Sequence, residues 1–526
     1  MTKVCILTAG VGSRMLPLTT KINKAILPLG EKAVISHIID KFSRNAEFVI
    51  ATGYLSDTVE TYLKFAYPEH NFTFVQIDKY LGDRCGPGYS LLQCERFLQE
   101  PFYFVSCDTV IDDDLPNDIM ESGNWIGVAY TDTPISYCTV SMKKNNVSEL
   151  HDKVLSGSNS AFIGLAKIQN YKIFFSGLKQ SISRINGEPQ ITGGLEAIIK
   201  HSNTRAIEFT WYDTGNKLNY NTAQKHFNNE GFDFSKTDEY LYFNNGKVLK
   251  YFTDHKIAEK RFARSKTIKD FAPKVLQCKD GFYVYDYING LVLYDCDLEN
   301  LIEPLLDWLH DDFWLKKDLK LNEKIIFKEA CLKFYKDKTY ARLKDFYQKE
   351  TRQEFKIGTV NGDQILPLNK LLKHIDWNDL TNGIPVRFHG DLQFDNILIT
   401  KNGKFKLIDW RQDFAGLIDY GDIYYDLAKL LGGILIPYKS IKSGNFSFNF
   451  SNGNSEFNLP QIPSCDKIKH IYYQHLDKIG VDKIKVSKIT ALIFLNMAPL
   501  HEYPFSNLLY AMGRYSLAKA LDGQAL

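Results

Sequence analysis

The sequence has no long apolar run and no excess of charge of either sign. Its 526 residues carry a formal net charge of +2 at pH 7, which argues against a protein that coats nucleic acid. No apolar run reaches the roughly 18 residues that a membrane-spanning helix needs. Glycine and proline are few, with 34 and 17 residues, which excludes collagen-like and low-complexity chains. We therefore expect a packed, enzyme-sized protein with no nucleic-acid partner and no membrane span.

The sequence also lacks paired cysteines. The nine cysteines are odd in number and form no Cys-x-x-Cys motif, so free thiols in a reducing compartment fit better than a disulfide framework or a zinc site. The first residues, MTKVCILTAG, lack the order of a secretory signal and are typical of a buried strand. We expect a cytoplasmic protein.

The character of the chain changes between residues 225 and 245. Before this point, apolar β-rich runs such as VCILTAG, EFVIATGY and FYFVSCD alternate with helical stretches, which predicts an α/β domain with a doubly wound, Rossmann-like sheet over residues 1–228. The polar stretch KHFNNEGFDFSKTDE predicts a linker. The Asn-Asn-Gly within YLYFNNGKVLKYF predicts a hairpin that opens a second domain, residues 240–526.

A glycine loop follows the first predicted strand. Gly10, Gly12, Ser13 and Arg14 come directly after it, and Lys24 lies ten residues further on. Glycines let backbone N–H groups approach a phosphate closely, and arginine and lysine supply the charge. The loop therefore indicates a nucleotide site, and a plain turn is the alternative.

Two aspartates stand at the ends of predicted strands. Asp108 closes the strand FYFVSCD, and Asp213 lies in the run WYDTG beside a glycine turn. Ligands of α/β sheets bind at the carboxyl ends of the strands, and two carboxylates there would suit Mg²⁺ with bound phosphates. Ordinary turn or cap residues are the alternative.

Five motifs in this order, LTAGVGSRMLPLT, NKAILPL, GPGYSLL, SCDTV and WYDTGN, resemble the sugar-phosphate nucleotidyltransferase family over residues 1–225. The resemblance implies that Arg14 and Lys24 are catalytic and that Asp108 and Asp213 hold Mg²⁺. It implies further nucleotide contacts at Gly10, Gly12, Ser13 and Gly88, and substrate contacts at Lys153 and Glu196. The run GPGYS differs from the family's usual base-reading sequence, so CTP and UTP both stay open.

A second chemical motif is VRFHGDLQFDNIL, followed by FKLIDW. Phosphoryl transfer to an alcohol needs a carboxylate to accept the hydroxyl proton and oxygen ligands for Mg²⁺. Asp391 supplies the first, and Asn396 and Asp409 supply the second. The step from Asp391 to Asn396 matches the catalytic loop H-x-D-x-x-x-x-N. A hairpin with ordinary turn residues is the alternative.

Residues 240–526 resemble the aminoglycoside phosphotransferase and choline kinase family, whose fold is bilobal and protein-kinase-like. The resemblance implies a small lobe at about 240–290 and a large lobe at about 291–526. Lys250 would hold the phosphates of ATP and pair with Glu259, and the backbone from Asp286 to Ile288 would contact adenine. Asp426 would support the catalytic loop.

The two resemblances imply consecutive reactions and a cofactor, Mg²⁺. A kinase would phosphorylate a small hydroxylated substrate with ATP, and a nucleotidyltransferase would couple the product to CTP or UTP and release pyrophosphate. A sugar is favoured, which gives a nucleotide-activated sugar for capsule or other cell-surface polysaccharide. Choline or an amino alcohol, giving CDP-choline, is the alternative, since aromatic residues lie beside carboxylates after Trp410. In a further alternative one domain is a non-catalytic, nucleotide-binding regulatory module. A homo-oligomer stays open.

Overall fold

The computed structural model describes residues 2–82, 85–115, 123–181, 184–185, 188–228, 238–350 and 358–526, with the backbone alone for 184–185 and 188–189. The predicted linker between the domains lies largely outside the described residues. Two compact units are present: one contains Met1–Glu230, Thr237–His255 and Lys279–Val284, and the other contains Lys256–Cys278 and Tyr285–Leu526. Within the described part of the chain, every helix is too short or too polar to cross a membrane.

The strands, in chain order, are β1 (Lys3–Leu7), β2 (Pro28–Leu29), β3 (Lys32–Ala33), β4 (Glu47–Thr52), β5 (Asn71–Gln76), β6 (Phe102–Ser106), β7 (Thr109–Ile111), β8 (Asn124–Tyr130), β9 (Cys138–Lys143), β10 (Asn146–Asp152), β11 (Ser160–Ile168), β12 (Arg184–Ile185), β13 (Glu188–Pro189), β14 (Thr204–Glu208), β15 (Trp211–Asp213), β16 (Glu239–Asn244), β17 (Lys247–Phe252), β18 (Val275–Lys279), β19 (Phe282–Asp286), β20 (Gly290–Val292), β21 (Gly358–Val360), β22 (Asp363–Ile365), β23 (Pro385–Val386), β24 (Ile397–Thr400), β25 (Phe405–Leu407), β26 (Gly421–Asp422), β27 (Ser447–Ser451) and β28 (Asn454–Asn458).

The α-helices are α1 (Val34–Ile39), α2 (Ser56–Ala66), α3 (Pro87–Cys94), α4 (Tyr171–Gln180), α5 (Thr192–His201), α6 (Lys217–Phe227), α7 (His255–Ser265), α8 (Leu298–Trp308), α9 (Leu321–Leu332), α10 (Lys338–Lys349), α11 (Leu368–Leu371), α12 (Trp377–Leu380), α13 (Ile423–Leu435), α14 (Tyr438–Lys442), α15 (Cys465–Lys478), α16 (Lys483–Met497) and α17 (Phe505–Leu521).

The first unit is built on a nine-stranded sheet of order β5-β4-β1-β6-β11-β8-β14-β10-β9. The strands β5, β4, β1 and β6 run parallel. Along β1, Val4 and Ile6 belong to one buried apolar cluster and Cys5 to another, because side chains alternate between the faces of a sheet. Helices α1, α2 and α6 contribute to the first cluster and α3, α4 and α5 to the second, so both faces are covered. The predicted doubly wound α/β fold is confirmed.

The predicted hairpin after residue 240 forms between β16 and β17, and its turn residues Asn245 and Gly246 have φ angles of 49° and 71°. Both strands belong to the first unit, although the sequence places them in the small lobe of the second domain. The reason is apolar burial: Tyr242 and Leu249 are fully buried in the first unit's core. The Tyr242 hydroxyl also donates a hydrogen bond to the Ile26 carbonyl at 2.6 Å. The two strands also belong to a four-stranded sheet of order β16-β17-β19-β18, and the predicted domain boundary and lobe division stay predictions.

The second unit is mainly helical, with small sheets at its edges. The strands β20, β24 and β25 form one sheet, and β22, β21, β28 and β27 form another. The latter includes the hairpin β27–β28, which lies in the polar segment after Tyr438. Helix α13 is buried along nearly its whole length and packs against α16, which in turn packs against α17. This unit has the mixed α/β content expected of a phosphotransferase of the kinase type.

Candidate active sites

The glycine loop of the first unit is shaped by its own contacts. Gly12 has a φ of 68°, and a Cβ there would lie 3.1 Å from Cγ2 of Thr19. The Thr19 hydroxyl donates to the Gly12 carbonyl at 3.0 Å. Gly10, Ser13 and Arg14 are exposed, and a Cβ on Gly10 would meet no atom within 4 Å. Open space at one glycine and a left-handed turn at the next are features of a backbone that receives a ligand.

Asn23 anchors the turn that carries Lys24. Its side-chain amide donates to the carbonyls of Thr8 at 3.0 Å and Tyr54 at 2.6 Å, and its oxygen accepts from the Ala25 N–H at 2.9 Å. The residue is fully buried, so these bonds satisfy polar groups that water does not reach. They fix the start of the short helical turn Lys24–Ile26 against the end of β1.

Pairing of two short strands brings the two aspartates together. Asp213 ends β15, which pairs antiparallel with β7 so that Asp213 lies opposite Thr109, next to Asp108. A Cβ on Gly215 would lie 2.9 Å from Oδ2 of Asp108 and 2.9 Å from Oδ1 of Asp213. Oδ2 of Asp108 and Oδ1 of Asp213 are therefore separated by no more than twice 2.9 Å. A side chain at position 215 would fill the space between them.

The cations from the glycine loop converge on the same place. The Lys24 Nζ lies 2.8 Å from Oδ2 of Asp108, and Nη2 of Arg14 lies 3.5 Å from the position of a Cβ on Gly215. Burial alone would raise the pKa of Asp108, but the charge and hydrogen bond of Lys24 outweigh it and hold this pKa below its ordinary value. Asp108 is therefore ionised at neutral pH. Four residues predicted from distant motifs form one cluster.

Two partners of Asp213 escaped the sequence analysis. The Tyr137 hydroxyl donates to Oδ2 of Asp213 at 2.9 Å, and the Asn219 amide donates to the same oxygen at 2.6 Å. The Gly215 N–H donates to Oδ1 at 2.7 Å. Asn219 lies six residues after Asp213, on the helix that follows the WYDTGN motif. This closeness to the motif is the signal from which Asn219 could have been found. These bonds hold the carboxylate in a fixed orientation.

The donor set fits a magnesium ion. Mg²⁺ prefers carboxylate oxygens together with phosphate oxygens of the substrate, and Asp108 and Asp213 offer carboxylates on either side of the space beside Gly215. A bound ion would supply positive charge to the triphosphate. No group of three or more His, Cys, Asp and Glu side chains suited to a metal is found in the described ranges.

The remaining predicted residues of the first unit are placed as follows. Gly88 is buried in the first turn of α3, after Gly86 with a φ of 144°. Lys153 is exposed, with a φ of 55°, and its N–H donates to the Tyr137 carbonyl at 3.2 Å. Glu196 is half-buried on α5. Among the described residues, neither the Lys153 nor the Glu196 side chain has an ion pair, and their substrate contacts stay a prediction.

In the second unit, hydrogen bonds order the loop that carries Asp391. The Asp391 N–H donates to Nδ1 of His389 at 3.2 Å, so Nε2 of His389 carries the proton and donates to the Ile408 carbonyl at 2.9 Å. Burial lowers the pKa of His389 to about 4, which keeps it neutral near pH 7. The Asn396 amide donates to the Asp391 carbonyl at 2.8 Å. His389 thus braces the loop.

Asp426 supports the same loop from helix α13. Its carboxylate accepts the backbone N–H groups of His389 and Gly390, both at 2.7 Å, and the indole N–H of Trp314 at 3.1 Å. The residue is fully buried, and burial raises its pKa to about 6. This is the supporting position expected from the resemblance.

A hairpin brings Asn396 and Asp409 side by side. Asn396 directly precedes β24, and Asp409 follows the paired strand β25. The Ile408 N–H donates to the Asn396 carbonyl at 2.9 Å. An amide and a carboxylate at one end of a hairpin form a donor set that suits Mg²⁺ bound to ATP. The Arg261 guanidinium on α7 forms an ion pair with Oδ1 of Asp409, a contact that the sequence did not indicate.

The predicted ATP-binding residues are placed as follows. Lys250 is buried on β17, and its Nζ lies 3.2 Å from Oε1 of Glu239 on the neighbouring strand, a partner that the sequence did not predict. Glu259 is exposed on α7 of the second unit. Asp286 is exposed and Ile288 half-buried in the short connection between β19 and β20. The expected pairing of Lys250 with Glu259 and the adenine contacts stay predictions.

Two family models match separate stretches of the chain. Residues 4–144 match the MobA-like NTP transferase domain, and residues 329–441 match the phosphotransferase enzyme family. The first match includes Arg14, Lys24 and Asp108, and the second includes Asp391 and Asp409.

Two individual relatives each match about two fifths of this chain. The bifunctional protein GlmU of Methanococcus aeolicus is 29% identical over 226 residues, which are 42% of this chain and 53% of the relative. GlmU of Methanococcus maripaludis is 25% identical over 232 residues, 43% of this chain and 54% of the relative. The chain spans about half the length of the curated relatives it matches.

A solved structure, UDP-glucose pyrophosphorylase complexed with UDP-glucose, is 21% identical, covers 43% of this chain and 98% of its own, and has a TM-score of 0.38, which is too low to carry an argument. The family matches carry the assignment. The chain therefore joins a stretch that matches a nucleotidyltransferase domain to a stretch that matches a phosphotransferase family.

Proposed function

We propose that this chain is a bifunctional enzyme that makes a nucleotide-activated sugar. The second unit phosphorylates a small hydroxylated substrate with ATP. The first unit couples the resulting phosphate monoester to CTP or UTP and releases pyrophosphate. The product supplies the synthesis of a cell-surface polysaccharide, and both steps use Mg²⁺.

The observation that carries the proposal is the cluster of Arg14, Lys24, Asp108 and Asp213 around Gly215. In nucleotidyl transfer, an oxygen of the monoester attacks the α-phosphorus and pyrophosphate leaves, so the protein has to align the reactants and neutralise charge. Arg14 and Lys24 supply positive charge at the end of the glycine loop. Asp108 and Asp213 supply the oxygens for a divalent ion.

The Asp391 loop supports the kinase step. A carboxylate that follows a braced His-Gly pair can orient the acceptor hydroxyl and accept its proton. Asn396 and Asp409 lie together at the end of the β24–β25 hairpin, where they would hold an ion with the phosphates of ATP.

The test separates the two reactions by their products. Full-length protein is given ATP, a candidate sugar and either CTP or UTP, and ADP and pyrophosphate are measured in parallel. We expect Asp108→Asn to abolish pyrophosphate release and to leave ADP release intact. Asp391→Asn should abolish ADP release, and pyrophosphate release should return when the sugar phosphate is added directly.

Two results would contradict the proposal. Pyrophosphate release that survives Asp108→Asn would remove this residue from the metal site. A protein that forms neither ADP nor pyrophosphate with any sugar or sugar phosphate would have another function.

A further inference from the structure

Lys338 lies near three further cations and near Asp391, the proposed proton acceptor. The Lys429 Nζ on α13 lies 2.7 Å from Oδ1 of Asp391, which balances the charge of both groups. Lys338 and Arg342 on α10, and Arg411 two residues after Asp409, have no ion pair among the residues that the structure describes. The site therefore holds three cations beyond the one that Asp391 balances.

Two of these cations share one aromatic ring. The Lys338 Nζ lies 4.5 Å from the ring centre of Phe334 and 5.6 Å from that of Tyr425. The guanidinium carbon of Arg411 lies 4.9 Å from the Phe334 ring centre. A ring attracts a nearby cation, but two cations on one ring also repel each other. The arrangement concentrates positive charge beside Tyr425 and Phe334.

This concentration of charge is unfavourable in the unliganded protein. Burial and then the charges of Arg411, Lys429 and Arg342 lower the pKa of Lys338 well below its ordinary value, and Asp391 opposes the shift. The Nε of Arg411 is buried and has no hydrogen-bond partner among the residues that the structure describes, which is energetically costly. Such a cost is typical of a functional site, where a ligand supplies the missing partner.

We propose that the acceptor of the second unit carries an anionic group, a carboxylate or a phosphate, beside the hydroxyl that is phosphorylated, and that Lys338, Arg342 and Arg411 bind this group. The inference rests on the proposed kinase function of the second unit. In the reaction, the acceptor oxygen forms a bond to the γ-phosphorus while the bond from this phosphorus to ADP breaks. The hydroxyl proton passes to Asp391, and the anionic group of the acceptor is unchanged.

The phosphates of ATP do not account for these cations. They are expected at the end of the β24–β25 hairpin beside Asn396 and Asp409, and the cation on Asp409 is Arg261 of α7. Lys338 and Arg342 lie on α10 instead, and the Lys338 ammonium lies beside the rings of Phe334 and Tyr425. Arg411 follows Asp409 by two residues, but it is grouped with Lys338 and Arg342 because it lies over the same Phe334 ring as Lys338.

A choline-like acceptor is disfavoured by the same residues. A quaternary ammonium needs aromatic rings and uncompensated carboxylates. Of the carboxylates near Trp410, Asp413 forms an ion pair with Lys260 at 2.8 Å, and Asp422 accepts from the Tyr335 hydroxyl at 2.7 Å. Tyr425 has the Lys338 ammonium beside it. The ammonium group of choline would therefore have to bind beside the positive charge of Lys338.

The test compares matched acceptors that differ in charge. ADP release by the full-length protein is measured with ATP and with the pairs glycerol and glycerate, glucose and glucuronate, and glucose and glucose 6-phosphate, and also with choline. We expect at least one anionic member to exceed its neutral counterpart in kcat/KM by about 10-fold to 100-fold, the range given by one or two hydrogen bonds to a charged group. Choline should give no ADP above background.

Two variants connect the preference to the cations. Lys338→Met and Arg411→Gln should each raise the KM for the anionic acceptor about 10-fold or more and leave the KM for ATP unchanged, which also shows that the variants are folded. Lys344→Met removes an exposed lysine from the same helix α10 and should change neither KM.

The failures can be told apart. ADP release that depends on Asp391 but favours a neutral or cationic acceptor would overturn this inference and leave the kinase function in place. An increase in the KM for ATP, rather than for the acceptor, in Lys338→Met and Arg411→Gln would assign these cations to the nucleotide and would also overturn it. If no acceptor of any charge gives ADP that depends on Asp391, the proposed kinase function fails together with the inference.

Discussion

At the scale of single residues, the first site depends on charges that neutralise each other in the free protein. Lys24 and Asp108 form a half-buried pair; burial lowers the pKa of Lys24, but the charge of Asp108 outweighs burial and leaves this pKa above its ordinary value. Lysine stays protonated while the carboxylate stays ionised. Both are then ready to exchange partners when a triphosphate and its cation enter.

We expect Lys24→Met to reduce pyrophosphate release about 100-fold to 1000-fold, because one preorganised cation at the reacting phosphates is lost. The rate of ADP release in the second unit should not change. Lys32→Met is the matched control: Lys32 pairs with Asp40 at the surface, and its loss should change pyrophosphate release less than about 2-fold. A drop of equal size in both variants would place the effect in folding and not in the site.

In the second unit, the pH dependence of the kinase reaction should reflect Asp426. Burial raises its pKa to about 6, so it begins to bind a proton as the pH falls through this value. The protonated acid is a weaker acceptor for the N–H groups of His389 and Gly390, and the loop that carries Asp391 loosens. We expect kcat for ADP release to fall below pH 6.

Two other groups could produce such a fall: Asp422, whose pKa burial also raises to about 6, and His389, which a variant tests. His389 stays neutral down to about pH 4, so it should not titrate in this range. His389→Asn keeps an acceptor for the Asp391 N–H and removes the titrating ring. The fall near pH 6 should persist in this variant at a lower overall rate. Its disappearance would make His389 the titrating group.

The residues proposed to carry the chemistry could be named from the sequence, and their hydrogen-bond and ion-pair partners could not. Arg14, Lys24, Asp108 and Asp213 lie in four separate motifs and meet in one cluster. Tyr137 and Arg261 lie far in sequence from the carboxylates that they contact, and no motif includes them. Lys429 gave a weak signal, as a lone lysine in the apolar helix α13. Long-range contacts between single residues need the fold before they can be assigned.

At the scale of elements, β16 shows how burial assigns a strand. Its side chains alternate: Tyr242 is fully buried and Leu241 is 38% exposed. The Tyr242 ring lies 4.9 Å from the ring of Tyr62 on α2, and its hydroxyl contacts the carbonyl of Ile26, in the same turn as Lys24. The strand therefore stabilises the core and also supports the turn that carries Lys24, the proposed catalytic lysine.

We expect Tyr242→Ala to lower the free energy of unfolding of the first unit by about 3–5 kcal/mol, because it leaves a large cavity. Leu241→Ala, on the opposite face of the same strand, should cost less than about 1 kcal/mol. Denaturant titration of the full-length protein measures both. Equal losses in the two variants would contradict the burial of β16 in this core.

The hydroxyl of Tyr242 can be tested apart from its ring. Tyr242→Phe keeps the packing and removes the bond to Ile26, which should cost about 1 kcal/mol of stability. If the bond positions the turn, kcat for pyrophosphate release falls several-fold while the KM for the nucleotide changes little. A variant that loses stability alone would leave the hydroxyl with a structural role.

At the scale of the whole molecule, the sequence indicated two functional parts, and both family matches agree with this. The sequence could not indicate that segments of the two compact units alternate along the chain. A hairpin signal such as Asn-Asn-Gly predicts that β16 and β17 pair, but alternating apolar residues do not specify which surface covers them. Residues 237–255 and 279–284 pack with the first unit, and 256–278 with the second. The division is therefore not one cut in the chain.

A fragment ending at residue 228 tests this organisation. It lacks five apolar side chains of the first unit's core: Tyr242, Leu249, Tyr251, Phe282 and Val284. At about 1.5–3 kcal/mol each, their loss approaches the whole stability of a typical domain, 5–15 kcal/mol. We expect the fragment to lack a cooperative thermal transition and to release no pyrophosphate. Co-expression with residues 237–526, which supply these side chains, should restore both properties. A fragment that is folded and fully active alone would show that the hairpin only lies against a complete nucleotidyltransferase core.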